Sequence, residues 1–166
     1  MNDANIKRKY ILDTNILINL KVFLPPSRFK LFYKKLFIAT VNIKVVLLDC
    51  VYEELKKGNN KELNSFLADC QNANLVESTV HLIAYSVEVN DKYKMIDEIS
   101  KKSQADPIII AYCNQDSINN VLLTREGYKK PSDELYKIPD VCTKMNIKCE
   151  RSMNNFYEHI DYKEVG

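Results

Sequence analysis

The stretch Tyr10-Ile-Leu-Asp13-Thr-Asn15-Ile-Leu-Ile-Asn19 decides the fold of this chain. A short apolar run ends at Asp13, and the apolar residues Ile16, Leu17 and Leu20 then follow at helical spacing. This pattern predicts a buried strand that passes directly into a helix, with a carboxylate at the carboxyl end of the strand. Ligands of open α/β sheets bind at that end of the strands, so Asp13 is a candidate site residue. An N-cap for the helix is the alternative interpretation of Asp13.

Three further segments have the short, apolar and partly β-branched character of strands in a parallel sheet. The four predicted strands cover residues 9–13, 44–48, 121–124 and 147–150, and residues 75–76 are a fifth strand or a strand-like connector. Helical stretches separate the strands. This alternation predicts a single domain over residues 1–166, a three-layer α/β/α sandwich with a central, mainly parallel sheet.

Acidic residues also stand at the later junctions between strands and helices. Glu54 lies on the short helix after the second strand, and Asp106 precedes a proline and a wholly apolar helix. Glu126 follows the third strand closely, and Asp140 stands at a predicted helix start. Taken singly, Glu54 is explained as a surface residue and Asp140 as a helix cap. For Asp106 a cap and a functional role are compatible, because a buried helix places the carboxylate at its mouth.

The composition excludes several classes of protein. With three glycines in 166 residues, the chain has neither phosphate-binding loop pattern, which removes P-loop NTPases and dinucleotide enzymes. Five cysteines without a C-x-x-C pair predict buried thiols in a reducing compartment, and two histidines argue against a zinc site. The net charge of +2 means that any basic surface is local. No signal peptide or membrane span is predicted, so we expect a cytoplasmic protein.

Four segments, in their order along the chain, resemble the motifs of the PIN domain family, whose small members include the VapC-type toxin ribonucleases. Leu12-Asp13-Thr14-Asn15 is similar to the first motif and Glu54-Leu55-x-x-Gly58 to the second. Asp106 with Ile109-Ile110-Ala111 is similar to the third, and Leu123-Thr124-x-Glu126 to the later T-x-D motif. The resemblance spans residues 9–158.

The chain departs from the usual toxin pattern in two places. Glu126 stands where the family more often has an aspartate, and its longer side chain changes the distance to a metal. The segment Ile138-Pro139-Asp140-Val141-Cys142 and the lysine-rich loop over residues 128–133 are not part of that pattern. The chain therefore resembles a PIN-like subgroup, in which Glu126 and Asp140 are alternative candidates for the fourth acidic ligand.

The resemblance implies a metal-dependent endoribonuclease that hydrolyses RNA phosphodiesters, as the toxin of a type II toxin–antitoxin system. It implies that Asp13 and Asp106 hold Mg²⁺ or Mn²⁺ and that Glu126 or Asp140 completes the set of ligands or holds metal-bound waters, while Glu54 orients or deprotonates the attacking water. Two carboxylates ~5 Å apart repel by about 3 kcal/mol at an effective dielectric near 20, and a hard divalent cation offsets that repulsion. The implied partners are an RNA substrate, a cognate antitoxin and a second copy of the chain, with no membrane.

Five further residues are expected to support this chemistry. Thr14, Asn15 and Thr124 are predicted to hold the ligands in place or to contact phosphate. Lys129 and Lys130 follow Glu126 closely, and we expect either this pair or the pair Lys34 and Lys35 to bind the RNA backbone without reading bases. An ordinary pair of solvated lysines is the alternative.

Two other functions are weighed against the ribonuclease. A strand-end aspartate is also the nucleophile of haloacid dehalogenase-type phosphatases, but those enzymes need a second aspartate where this chain has Asn15. A catalytically degenerate PIN-like binding or scaffold module is the other alternative. The helix predicted over 27–38 combines an aromatic stripe with basic residues, including Lys34 and Lys35, which suits either a core-facing helix or a surface for RNA or a protein.

Overall fold

The computed structural model describes residues 8–58, 60–96 and 104–163. Its strands are β1 (Lys9–Leu12), β2 (Val45–Val46), β3 (Asn120–Leu123) and β4 (Lys148–Glu150). Its α-helices are α1 (Thr14–Phe23), α2 (Lys30–Val41), α3 (Asp49–Lys57), α4 (Asn64–Ala73), α5 (Val80–Tyr93), α6 (Asp106–Gln115), α7 (Ile138–Met145) and α8 (Asn154–His159). A short 3-10 helix at Lys61–Leu63 leads into α4.

The described strands form one sheet in the order β2-β1-β3-β4, and each neighbouring pair is parallel. In the central strands, residues 10–12 and 121–123 are at most 1% exposed. Strands that are covered on both faces are continuously apolar, which is why these segments lack an alternating pattern. The four predicted strands and the parallel sheet are confirmed. Val76 forms a single parallel bridge with Leu48, so residues 75–76 are a strand-like connector.

Helices cover both faces of the sheet and give three layers. The chain passes from β1 to β2 in one direction across the sheet and from β2 to β3 in the other. Right-handed crossovers that run in opposite directions lie on opposite faces. On one face, Phe156 of α8 packs on Tyr10 of β1, and Tyr157 packs on Phe32 of α2. On the other face α6 contacts β3, α5 and α7. The predicted α/β/α sandwich is confirmed.

The helix predicted over 27–38 is α2, which begins three residues later because a turn precedes it. In that turn the Pro25 carbonyl accepts hydrogen bonds from the backbone N–H groups of Arg28 and Phe29. Phe32 and Leu36 are fully buried, so the aromatic stripe of α2 faces the core. The core-facing interpretation of this helix is therefore confirmed.

Leu82, Tyr85, Val89, Tyr93, Ile96 and Ile99 recur every three or four residues, a spacing that predicts one helix over 80–102. In the structure α5 ends earlier, at Tyr93. Lys94 adopts the left-handed conformation, and the side-chain oxygen of Asn90 accepts hydrogen bonds from the backbone N–H groups of Met95 and Ile96. These local contacts terminate the helix before the apolar periodicity ends. The predicted helical positions from 97 to 102 lie outside the described residues. No described helix is long and apolar enough to cross a membrane.

The carboxyl ends of β1 and β3 form the point of the sheet at which a ligand site is expected. From β1 the chain turns towards β2, whereas from β3 it turns towards β4 on the opposite side. Connections that diverge in this way leave a crevice between the two strand ends, the topological switch point of an open α/β sheet. Asp13 follows β1 directly and Thr124 follows β3 directly, so both residues stand at that crevice.

Candidate functional site

Asp13 is held between the two central strands. Its backbone N–H donates a 3.1 Å hydrogen bond to the carbonyl of Leu123, and the residue is only 1% exposed. Its Oδ2 accepts hydrogen bonds from Thr124 Oγ1 at 2.7 Å and from Asn15 Nδ2 at 3.3 Å. Its Oδ1 is buried without a hydrogen-bond partner among the described residues. Although Asp13 occupies the cap position of α1, its side chain caps no backbone N–H there.

The electrostatic environment of Asp13 disfavours its charged form. Burial raises the pKa of the Asp13 carboxyl to about 6, and the nearby charge of Glu126 adds to the rise. The hydrogen bonds from Thr124 and Asn15 oppose that rise but do not cancel it. A buried carboxylate with one unpartnered oxygen is a group that a cation would stabilise.

Thr124 connects Asp13 to Glu126. The Thr124 hydroxyl donates to Asp13 and accepts a 3.1 Å hydrogen bond from the backbone N–H of Glu126. The Glu126 Oε2 in turn accepts a 3.1 Å hydrogen bond from the backbone N–H of Ile138, at the N-terminal end of α7. The positive end of the α7 dipole favours a negative charge there. The structure therefore brings Asp13, Thr124 and Glu126 together.

Glu54 joins the first strand junction to the start of α6. Its Oε2 accepts a 2.6 Å hydrogen bond from Thr14 Oγ1, and its Oε1 accepts a 3.0 Å hydrogen bond from the backbone N–H of Ala105. Asp106 is the next residue, the first of α6, and it is 7% exposed. If Asp106 were the N-cap, α6 would begin at Pro107. In the structure Ala105 is the N-cap and α6 begins at Asp106. Glu54 fixes the position of Asp106 relative to Thr14.

Asp140 and Lys129 organise the loop between β3 and α7. The Asp140 Oδ2 accepts a 2.8 Å hydrogen bond from the backbone N–H of Lys129. The Lys129 ammonium donates to the carbonyl of Glu134 at 3.1 Å and lies over the ring of Tyr136 at 4.5 Å. The ammonium therefore engages its own loop, and Asp140 is placed as a structural link between that loop and α7.

The other predicted lysines lie on ordinary surface elements. The backbone N–H of Lys130 donates to Asp133 Oδ2 at 2.9 Å within an exposed turn. Lys34 is exposed and Lys35 is half-buried on α2, which packs against β2 at the edge of the sheet. Neither lysine pair belongs to the hydrogen-bonded set around Asp13.

The carboxylate of Asp13 and the nearby charge of Glu126 suit a cation site with few protein ligands. Within the described residues, no three side chains of histidine, cysteine, aspartate or glutamate lie close enough to hold a metal ion. Mg²⁺ generally keeps several waters and uses one or two carboxylates with substrate phosphates. The unpartnered oxygen of Asp13 and the interacting charge of Glu126 fit such a site. One oxygen of Asp140 accepts the hydrogen bond from Lys129, and a role of Asp140 as a metal ligand stays a prediction.

Two features of this edge were missed at the level of sequence. Asp49, which follows β2 closely, is engaged structurally: its carboxylate accepts hydrogen bonds from the backbone N–H and the hydroxyl of Ser78. A cavity beside Asp13 is lined by Asn19 and Phe23 of α1 and by Arg125. The sequence feature that points to this cavity is Phe23, which follows Ile16 and Leu20 at helical spacing on α1 but is exposed.

The fold and this site together define an α/β protein with buried acids at the switch point of a parallel sheet. The chain belongs to the family described as Domain of unknown function (DUF4411), whose model matches residues 10–160. That match covers the elements from β1 to α8, including every acidic residue described above. Comparisons with curated proteins and with solved structures find no match.

Proposed function

We propose that this DUF4411 protein is a PIN-like, metal-dependent endoribonuclease that hydrolyses RNA phosphodiesters. The observation that carries the proposal is the buried Asp13 carboxylate at the switch point, with one oxygen unpartnered and the charge of Glu126 beside it. A carboxylate kept in such a position lowers the stability of the fold unless a ligand compensates for it. The order of the four PIN-like motifs along the chain supports the same conclusion.

The protein's residues divide the work of such a site. Asp13 and Glu126 would hold Mg²⁺ or Mn²⁺. Asp106, the first residue of the buried helix α6, would be the next acidic residue to bind the ion. Thr124 keeps Asp13 and Glu126 in register through its hydroxyl. Glu54 positions the start of α6, and its role as a base for the attacking water stays a prediction. A bound divalent cation supplies a more acidic water and stabilises the charge that develops on phosphate.

The test is cleavage of labelled single-stranded and structured RNAs by the purified protein, in Mn²⁺ and in EDTA. Asp13→Asn should lower the rate by more than the ~10–100-fold that loss of a ligand-supporting group typically causes, and Glu126→Gln should lower it as well. Asp91→Asn is the matched control, because Asp91 is exposed on α5. Cleavage that continues unchanged in EDTA or in Asp13→Asn would refute the metal mechanism.

The proposal includes a role as a cytoplasmic toxin with an antitoxin partner. Induced expression should arrest growth, and Asp13→Asn should relieve the arrest at equal protein level. Growth arrest that is identical for wild type and Asp13→Asn would mean that toxicity does not depend on the acidic site.

A non-catalytic scaffold module is the second candidate, and one observation favours it. Both oxygens of Glu54 and one oxygen each of Glu126 and Asp140 accept hydrogen bonds that stabilise the fold. Acids used in this way keep their positions without any substrate. The scaffold predicts no RNA cleavage in Mn²⁺ and no stabilisation by the metal, so the same cleavage assay with a thermal melt decides between the candidates.

A further inference from the structure

We infer that the cavity beside Asp13 binds one nucleotide of a single-stranded RNA, with its base against Phe23 and its phosphate at Arg125. This inference rests on the proposed ribonuclease function and names a substrate subsite for it. The cavity has a volume of about 270 Å³. That is slightly below the ~300–1,000 Å³ of pockets that enclose drug-sized ligands, so it suits one small planar group.

The cavity is built from the ends of three neighbouring strands. Ile16 and Asn19 lie on α1, which follows β1, and the backbone N–H of Ile16 donates to the carbonyl of Asp13 at 3.0 Å. Arg125 follows Thr124 at the end of β3, and Asn154 begins α8 after β4. The part of the cavity next to Arg125 therefore lies at the edge of the sheet where Asp13 stands, and Phe23 lines it from the last residue of α1.

The charge of the cavity suits an anion. Arg125 is the one charged residue in the described lining, and it is exposed. It forms no hydrogen bond or ion pair with the residues that the structure describes. A guanidinium without a partner binds phosphate through two parallel hydrogen bonds. An anionic substrate approaches a site of acidic residues only when positive charge lies nearby, and the guanidinium of Arg125 provides that charge.

The remaining lining suits a base. Phe23 is 67% exposed at the end of α1, and the half-buried Tyr157 contributes a second aromatic side chain. Asn19 and Asn154 add amide side chains to the lining, and Asn19 Nδ2 already donates a 2.7 Å hydrogen bond to the carbonyl of Asn15. Proteins bind single-stranded RNA by stacking splayed bases on aromatic side chains and by hydrogen-bonding their edges. An apolar ligand without a phosphate would leave Arg125 unused.

The test measures the binding of AMP, CMP, GMP, UMP and adenosine to the metal-free protein in EDTA, by calorimetry and by NMR chemical-shift mapping. Phe23→Ala should weaken AMP and adenosine alike, by about fivefold or more, because the stacking contact is lost. Arg125→Ala should weaken AMP by about tenfold and change adenosine less than about twofold, because only AMP carries the phosphate.

Two matched variants control for general effects. Arg28→Ala removes an exposed arginine that does not line the cavity, and Leu31→Ala removes an exposed apolar side chain of α2. Both controls should bind AMP and adenosine as the wild type does. Phe23 and Arg125 are exposed, so their variants should retain the far-UV spectrum and melting temperature of the folded protein.

The results separate this subsite from the ribonuclease proposal. Cleavage of RNA without nucleotide binding at the cavity, or with an unchanged AMP-to-adenosine ratio in Arg125→Ala, would overturn the subsite and leave the ribonuclease standing. Nucleotide binding with the predicted variant pattern but without RNA cleavage would support the subsite and overturn the ribonuclease. Shift changes confined to other surfaces would also overturn the subsite.

Discussion

The unfolding free energy of the metal-free Asp13→Asn variant, measured relative to the wild type, should rise as the pH goes from acidic to neutral. Asp13 is 1% exposed, and burial raises the pKa of its carboxyl from 3.8 to about 6. The folded state therefore holds the Asp13 proton more tightly than the unfolded state does. By linkage, the contribution of Asp13 to stability is present below pH 3.8 and is lost as the pH rises through about 6.

The size of the effect follows from the two pKa values. A tenfold change in proton affinity is equivalent to ~1.4 kcal/mol. The rise in the pKa of Asp13 from 3.8 to about 6 then corresponds to about 3 kcal/mol of stability lost between acidic and neutral pH. Asparagine has no such titration. Because a small part of this loss has already occurred at pH 4, the stability of the asparagine variant relative to the wild type should rise by about 2.4 kcal/mol between pH 4 and pH 7.

The measurement is urea unfolding in EDTA at about pH 4, 5, 6 and 7, followed by circular dichroism and tyrosine fluorescence. The chain has ten tyrosines and no tryptophan, so tyrosine is the intrinsic reporter. Taking the difference between variant and wild type at each pH cancels the titration of the acids that do not interact with Asp13, and what is left reports Asp13 together with its interaction with Glu126. Asp91→Asn is the control, because water hydrates that exposed side chain in both states.

Two results would refute this reasoning. A difference between Asp13→Asn and wild type that stays flat from pH 4 to pH 7 would mean that the folded protein hydrates or compensates the Asp13 charge. A wild type that gains on the variant as the pH rises would mean that the hydrogen bonds from Thr124 and Asn15 outweigh burial.

Three further predictions concern the same edge of the sheet. Mn²⁺ at a hundredfold excess over its Kd should stabilise the wild type by ~2.7 kcal/mol and should not stabilise Asp13→Asn, as thermal melts will show. Thr124→Val should lower the unfolding free energy by about 1–3 kcal/mol in urea, since two polar groups lose their partner, while Thr124→Ser should restore most of it. Iodoacetamide should label Cys149 before Cys50 in peptide mapping. A hydrogen bond from Cys142 lowers the pKa of the Cys149 thiol, whereas burial raises the pKa of the Cys50 thiol to about 12. Equal labelling, or faster labelling of Cys50, would contradict this prediction.

The sheet was predictable because each of its central strands is marked by residues that are adjacent in the sequence. Each central strand is a short run of buried apolar residues that ends in a polar group, and Asp13 and Thr124 mark those ends in the sequence. The helix ends were less predictable, since they depend on single contacts. The side chain of Asn90 ends α5 through the backbone N–H groups that follow it, although the apolar spacing continues.

The positions of the acidic residues at strand–helix junctions were predictable from the sequence, but the contacts that each carboxylate makes were not. Glu54 contacts Thr14 and Ala105, which lie 40 and 51 residues away in the chain. No local pattern distinguishes such a linking glutamate from a surface residue or from a catalytic one. The same is true of Asp140, whose bond to the loop before α7 depends on how that loop folds.

The contacts of Asp13 differ from those of an aspartate that only caps a helix. A residue needed only to join β1 to α1 could be asparagine or serine, which cap helices without a buried charge. Asp13 caps no helix N–H, leaves one oxygen unpartnered and has Thr124 and Asn15 directed at the other. Those two hydrogen bonds stabilise the charged form against the effect of burial. A buried carboxylate that weakens the fold in this way is the arrangement that the proposed metal site predicts for Asp13.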